Sequence, residues 1–252
     1  MTEADPLAPL LDLEGVSDAL AEARAAVDDA LRHRALRRQG GPLAAETALR
    51  AAQASAALEG HDYPADEIRG GAVTDPVVQG ALRVTEAAPR LADSWGRAPS
   101  QVLARLHVLA ARGLASDPDL GRPSGSHLPA SEVSARLDGL ARLVAGSADA
   151  PALLLAAVVH GELLAVRPFA AANGVVARAA ARLTLIDRGL DPRALIVVEA
   201  GHLERQPEYT GAAGACATGT PDGLRSWLKH YAAAVVIGAG ETVSIADRVL
   251  AG

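Results

Sequence analysis

The sequence predicts an all-α protein, and three observations lead there. Alanine, leucine and arginine, all strong helix formers, recur throughout a chain of 252 residues that is 50% apolar. Aromatic residues make up only 2%, and β-branched residues are sparse, which disfavours strands. Apolar residues return at helical spacing, as at Val102, Leu103, Leu106 and Leu109.

The elements follow from start and stop signals. Ser17 is placed to cap a helix running to about Arg38, with Gly40 and Gly41 stopping it. A second helix is expected from Pro42 to Glu59, with Gly60 as its C-terminal stop. Residues His61 to Gly71 read as a polar loop. Asp75-Pro76 opens a third helix, because Pro suits the first helical turn. Ala98 to Leu114 forms a fourth. Ala115 to Pro129, with Pro118, Gly121, Pro123, Gly125 and Pro129, is the clearest irregular stretch. Ser131 then caps a helix with Val133, Leu137, Leu140, Leu143 and Val144 on one face. Ala148 to Val166 is apolar all round and so is expected to be buried. Arg167-Pro168 breaks it, since Pro disfavours helical geometry in the residue before it. Asn173-Gly174 opens a helix to about Arg188, Gly211 to Gly219 reads as a small-residue loop, and Thr220-Pro221 starts a helix through Tyr231. A last helix is expected to end near Leu250.

Composition narrows the function classes. The net charge of −6 argues against a general nucleic-acid binder, which would present a basic face. The single cysteine, Cys216, excludes a disulfide framework and a multi-cysteine zinc site. Lys229 is the only lysine against 23 arginines, a bias that fits a GC-rich genome. The first residues lack the basic and apolar regions of a secretion signal. The longest apolar runs, Pro151 to Val159 and Tyr231 to Gly240, fall short of the ~20 residues that span a bilayer. A soluble, cytoplasmic protein without membrane or nucleic-acid partners is the expectation. Other motif outlines fail: Gly214 to Thr220 lacks the lysine of a phosphate-binding loop, and His160-Gly-Glu162 and His202-Leu-Glu204 lack helical zinc spacing.

The informative stretch runs from Arg167 to Arg178: Arg-Pro-Phe-Ala-Ala-Ala-Asn-Gly-Val-Val-Ala-Arg. It resembles, in register, the motif HPFx(D/E)GNGRxxR of the Fic family, with Pro168, Phe169, Asn173, Gly174 and Arg178 matching. Upstream, Ser55 to Gly60 resembles the family's inhibitory motif (S/T)xxxE(G/N), at the end of a predicted helix. The resemblance extends loosely from about Arg50 to Tyr231. It implies a Fic-type helical bundle with an N-terminal helical extension and a flap near Gly121 to Ser126, which in the family is a short β-hairpin. The expected organisation is a helical region over 1–97, including the inhibitory-type helix, and a Fic-like core over 98–252, within one compact domain.

Fic enzymes move AMP from ATP onto protein hydroxyls. That needs a general base, for which His is suited, a carboxylate to hold Mg²⁺, helix N-terminal N–H groups for the phosphates, and arginines whose planar forks match phosphate oxygens. The sequence departs at these points. Arg167 stands at the family's His position and cannot act as a base. Ala171 replaces the metal-binding acid, Ala172 replaces a glycine, and Val175 replaces the first motif arginine. Loss of a general base alone costs about 10²–10⁴-fold in rate.

Several roles stay open at this level. Phe169 reads as a core aromatic that anchors the loop. Asn173 reads as a helix N-cap or an anion-site residue. Glu59 and Arg178 read as a structural ion pair, supported by Ser55, or as a nucleotide gate. Arg167 reads as a solvated or loop-pairing side chain, or as a phosphate or partner contact. His160 reads as a satisfied core histidine. The expectation is therefore a degenerate Fic-family protein, a pseudoenzyme without confident catalytic or metal residues, in which Asn173, Gly174, Arg178 and Arg167 would hold an anion. Its ligand would be ATP or another nucleotide, with Mg²⁺ not expected, or a protein partner at the flap. A divergent transferase of AMP or another phosphate-containing group, and a purely structural or regulatory interaction protein, are the alternatives. Homodimer formation is also open, since family members often pair through helical faces.

Overall fold

The central helix α9, Ala152–Val166, is buried on nearly every side, as its mainly apolar sequence requires. The computed structural model describes residues 5–146 and 149–251. Residues 1–4, and Ala148 where α9 was expected to start, lie outside the described residues; α9 itself begins at Ala152 after Pro151.

The described helices are α1 Ala8–Leu11, α2 Val16–Leu31, α3 Ala35–Arg38, α4 Gly40–Ala57, α5 Ala65–Arg69, α6 Pro76–Trp95, α7 Pro99–Ala111, α8 Ala130–Gly146, α9, α10 Asn173–Asp187, α11 Val198–Glu204, α12 Gln206–Cys216 and α13 Pro221–Ala251. No strand occurs among the described residues, so the fold is all-α. Helix α10 packs beside α9, with α6 and α7 against it. The long α13 lies along α2 and gathers α11 and α12. One large core joins these layers, with Trp95, Trp227 and Tyr231 among its fully buried side chains. A smaller cluster around Leu43, Leu195, Val197 and Ile245 ties α4 to α11 and α13.

Local chemistry sets the sharpest boundaries. Asp75 Oδ1 accepts the N–H groups of Val77 (2.8 Å) and Val78 (3.2 Å), and Pro76 occupies the first turn of α6, as expected. Arg167 ends α9 in the left-handed conformation (φ 45°), and Pro168 prevents its continuation.

Elsewhere tertiary packing overrides local signals. The helix expected from Ser17 to Arg38 divides into α2 and α3, with Gly15 rather than Ser17 at the start. Residues 61–71 contain the short helix α5, held by buried Ile68. Gly211 to Gly219 is not a loop up to Cys216: α12 continues through Gly211 and Gly214 because Tyr209 and Ala212 bury against α13. The two helices expected at the C-terminal end are one. At Gly238 an added Cβ would lie 2.6 Å from the carbonyl oxygen of Val197, so only glycine lets α13 approach so closely. The flap region is also not a hairpin: residues 112–129 form an irregular loop with a 3₁₀ turn at Asp117–Asp119. No helix among the described residues is long and apolar enough to cross a membrane.

Candidate functional site

Loop 167–172, between α9 and α10, is held from three sides. Asn173, the first residue of α10, closes it from within: its Oδ1 accepts the N–H of Phe169 (2.9 Å) and its Nδ2 donates to the carbonyl of Phe169 (2.7 Å). Neither sequence alternative describes this side chain. The N-cap position is Ala172, and the amide of Asn173 is spent on its own loop rather than aimed at an anion. Phe169 is 3% exposed and stacks on His107, with centroids 4.1 Å apart and planes at 8°. The core-anchor reading of Phe169 agrees with this.

The flap loop lies against the same residues. The N–H groups of Ser124 and Gly125 donate to the carbonyl of Pro168 (3.0 and 3.2 Å). Ser126 Oγ donates to the carbonyl of Val166 (2.5 Å). His107 Nδ1 accepts the N–H of Gly121 (2.9 Å) while its ring lies on Phe169. At Gly125 a Cβ would meet the carbonyl of Phe169 at 2.2 Å, so the two loops are as close as glycine permits. Burial lowers the pKa of His107 and keeps Nδ1 free to accept. His107 carries no local signal beyond its place on the apolar face of α7, and the sequence reading missed it.

The second part of the site is the guanidinium of Arg178, 3% exposed at the second turn of α10. Its Nε donates to Ser55 Oγ (2.9 Å) and its Nη2 to the Ser55 carbonyl (2.8 Å) and Glu59 Oε1 (2.8 Å). Nη1 donates to the Tyr209 hydroxyl (3.3 Å). Burial pulls the pKa of Arg178 down, but Tyr209 and Glu59 outweigh it, so the group stays charged with its pKa raised. The Glu59 carboxylate lies over Gly174, where an added Cβ would be 2.0 Å from Oε1. A negative charge there faces the positive end of the α10 dipole. The pairing expected of Ser55, Glu59 and Arg178 is thus formed, and Glu59 covers the first turn of α10.

The remaining motif positions are chemically spare. The Arg167 side chain is exposed and makes no ion pair or hydrogen bond to a described residue. Val175 is 2% exposed and packs into the core. Ala171 and Ala172 are half-buried and offer no side-chain ligand atom. The donor set therefore does not fit a Mg²⁺ ion at Ala171, because hard cations require oxygen ligands there. Among the described residues no group of three or more His, Cys, Asp or Glu is placed to hold a metal. Cys216, with its thiol pKa pushed up to about 11 by burial and Glu162, is poorly nucleophilic.

Ala172 adopts φ 57°, a left-handed conformation that costs an L-residue about 1–2 kcal/mol. Restoring glycine relieves that cost against a smaller loss of backbone entropy. Ala172→Gly is expected to stabilise the protein by about 0.5–1 kcal/mol, read as a rise of about 2–4 °C in melting temperature. A lower melting temperature would contradict the left-handed assignment.

Beside Phe169 and Pro168 opens a groove of about 410 Å³ between α7, the flap loop and α8. Leu103, Pro123, Val133 and Leu137 line it with the hydroxyls of Ser124 and Ser134, and Asp138 is its charged residue.

No protein-family model matches the sequence, and no curated protein matches it. Its fold does match solved structures. A Fic family protein from Desulfovibrio desulfuricans G20 superposes with a TM-score of 0.76 at 19% identity, over 92% of this chain and 74% of that one. Fic-1 from C. elegans gives 0.72 at 18% identity, over 94% and 74%. A Fic-domain-containing signaling protein from Bacteroides thetaiotaomicron VPI-5482 gives 0.62 at 14%, over 91% and 97%. The chain has the fold of Fic proteins.

Proposed function

We propose that this chain is a Fic-family pseudoenzyme, which has kept the family's scaffold and its Glu59–Arg178 lock and works by binding a segment of a protein partner in the groove beside Phe169. The observation that carries this reading is the division of the motif. The residues that hold the loop, Phe169 and Asn173, are fully engaged, whereas the three reactive positions carry exposed Arg167, Ala171 and core-packed Val175. No general base and no metal ligand stand where transfer would need them. The groove is of ligand-pocket size, mostly apolar, with a few polar groups, the character of a binding site. Its single carboxylate, Asp138, favours a segment with an apolar anchor and a nearby cation.

A transfer assay with labelled ATP on the native protein and on Glu59→Gly, each mixed with cell lysate, tests the loss of catalysis. No labelling is expected from either. Labelling by Glu59→Gly that vanishes in Glu59→Gly/Arg178→Ala would establish a divergent transferase instead. Ser134→Arg, which fills the groove, is expected to abolish binding of peptides selected on the native protein from a random library. Peptides that bind both proteins equally would place recognition elsewhere.

A second reading rests on the α10 N-terminus. On it, Gly174 and Arg178 would hold an anion where the Glu59 carboxylate now lies. On this reading ATP or ADP binds Glu59→Gly without needing Mg²⁺ and binds the native protein far more weakly. Calorimetry with and without Mg²⁺ decides it: no heat with either protein removes nucleotide binding.

A further inference from the structure

Between α9, α10, α11, α12 and α13 lies a set of buried polar side chains that touches the site above only through Tyr209. His160, His202, Tyr209, Trp227 and Tyr231 pack ring against ring, with His160 and His202 at 5.0 Å and both within 6.0 Å of Tyr231. His160 Nδ1, His202 Nε2 and Tyr231 Oη are buried, and none finds a hydrogen-bond partner among the described residues. All three residues line a small cavity of about 10 Å³, together with Arg178, Arg182, Asp191 and Glu199.

Hydrogen-bond accounting fixes what that cavity must supply. Arg178 donates to Tyr209 Oη, and the Tyr209 hydroxyl lies 3.0 Å from His160 Nε2 with its proton free to go to that nitrogen. In that arrangement His160 carries its own proton on Nδ1, and that N–H requires an acceptor. His202 Nδ1 and His230 Nε2 share one proton across 3.1 Å. Whichever ring donates it, His202 Nε2 is left needing a partner. Burial first, then the Arg178 charge for His160 and His160 itself for His202, lowers both pKa values and keeps the rings neutral. Buried polar groups are satisfied in native proteins, by water where no protein group reaches.

We infer that the structure holds an internal water-binding site, in which one water accepts from His160 Nδ1–H and bonds His202 Nε2 and Tyr231 Oη. The volume is of the order of a single water. Charge selects a neutral occupant. Arg178 and Arg182 oppose a cation, while Asp191 and the Glu199 carboxylate, paired with Arg182, oppose an anion. Three polar partners match the coordination that ordered internal water takes. The water completes a polar chain from Glu59 through Arg178, Tyr209 and His160 to His202 and His230. His230 lies at the edge of the open groove between α12 and α13, beside Arg205 and Glu208. The lock over α10 is thereby joined by hydrogen bonds to the groove beside His230.

A high-resolution crystal structure of the native protein at neutral pH is expected to show one water within hydrogen-bond distance of His160 Nδ1, His202 Nε2 and Tyr231 Oη. Nitrogen-15 NMR is expected to find His160 as the Nδ1–H tautomer. Tyr231→Phe keeps the ring and removes one partner, and oxygen-17 relaxation should then report a residence time shortened roughly fivefold to tenfold. A dry cavity, a direct bond between His202 Nε2 and Tyr231 Oη, or an Nε2–H tautomer at His160 would each overturn the assignment. The native-protein measurements stand if the variant fails to fold.

Discussion

Arg178→Ala is expected to destabilise the protein by about 3–5 kcal/mol, because it removes a buried side chain that satisfies Ser55 and Tyr209 as well as pairing with Glu59. Four hydrogen bonds are lost together, to Ser55 Oγ, the Ser55 carbonyl, Glu59 and Tyr209. The Ser55 carbonyl sits in the last turn of α4, so the same substitution loosens α4 from α10. It also releases the Tyr209 hydroxyl that orients His160. At about 2–4 °C per kcal/mol for a chain of this size, the melting temperature should fall by roughly 6–20 °C. Glu59→Gln should cost much less, because its side chain is 32% exposed and the amide oxygen can still accept from Nη2. The difference between the two variants in urea unfolding is the measurement. If Arg178→Ala costs no more than Glu59→Gln, the guanidinium does not join α4 to α10.

Stability is expected to fall steadily as pH drops below about 6.5, the ordinary histidine pKa. Burial lowers the pKa of His107, His160 and His202, and that of His230 down to about 4. In the folded protein these rings stay neutral, whereas in the unfolded chain they take up protons below about 6.5. The unfolded state then binds more protons, so stability rises with pH through that window and is lost as pH falls. Each ring still neutral at about pH 5 contributes up to about 2 kcal/mol to the loss. Asp191 acts in the opposite direction. Burial raises its pKa against the N–H groups of Leu195 and Ile196, so its protonation favours the fold at low pH. One carboxyl against four imidazoles leaves the net sign unchanged. Urea midpoints measured between about pH 8 and pH 5 should decline by several kcal/mol in unfolding free energy. A flat profile would mean that the histidines are not buried neutral.

Much of the fold is written locally. The apolar run of α9, the Asp75-Pro76 start of α6 and the Arg167-Pro168 break each act through neighbours a few residues away. The motif residues Phe169 and Asn173 also interact across four positions, so their spacing alone places them in one loop. The missed features share a different origin. Gly211 and Gly214 weaken a helix by local preference, yet α12 forms because α13 buries Tyr209 and Ala212. The flap has no hairpin because its N–H groups turn instead to Pro168. His107, Tyr209 and His202 are scattered through the chain as ordinary apolar-face residues, and nothing nearby marks them.

The sequence by itself determined an all-helical scaffold, the place of the loop between α9 and α10, and that Arg167, Ala171 and Val175 stand along it. Those are properties of residue type and short spacing. The tertiary structure decided that Glu59 covers α10, that Arg167 stands in solvent, and that His160 and His202 meet at one small polar cavity. The Arg178–Ser55 bond spans 123 residues, and the His160–Tyr209 bond spans 49. Such contacts follow from how helices pack, because a charge or a proton is placed by the groups that surround it in space.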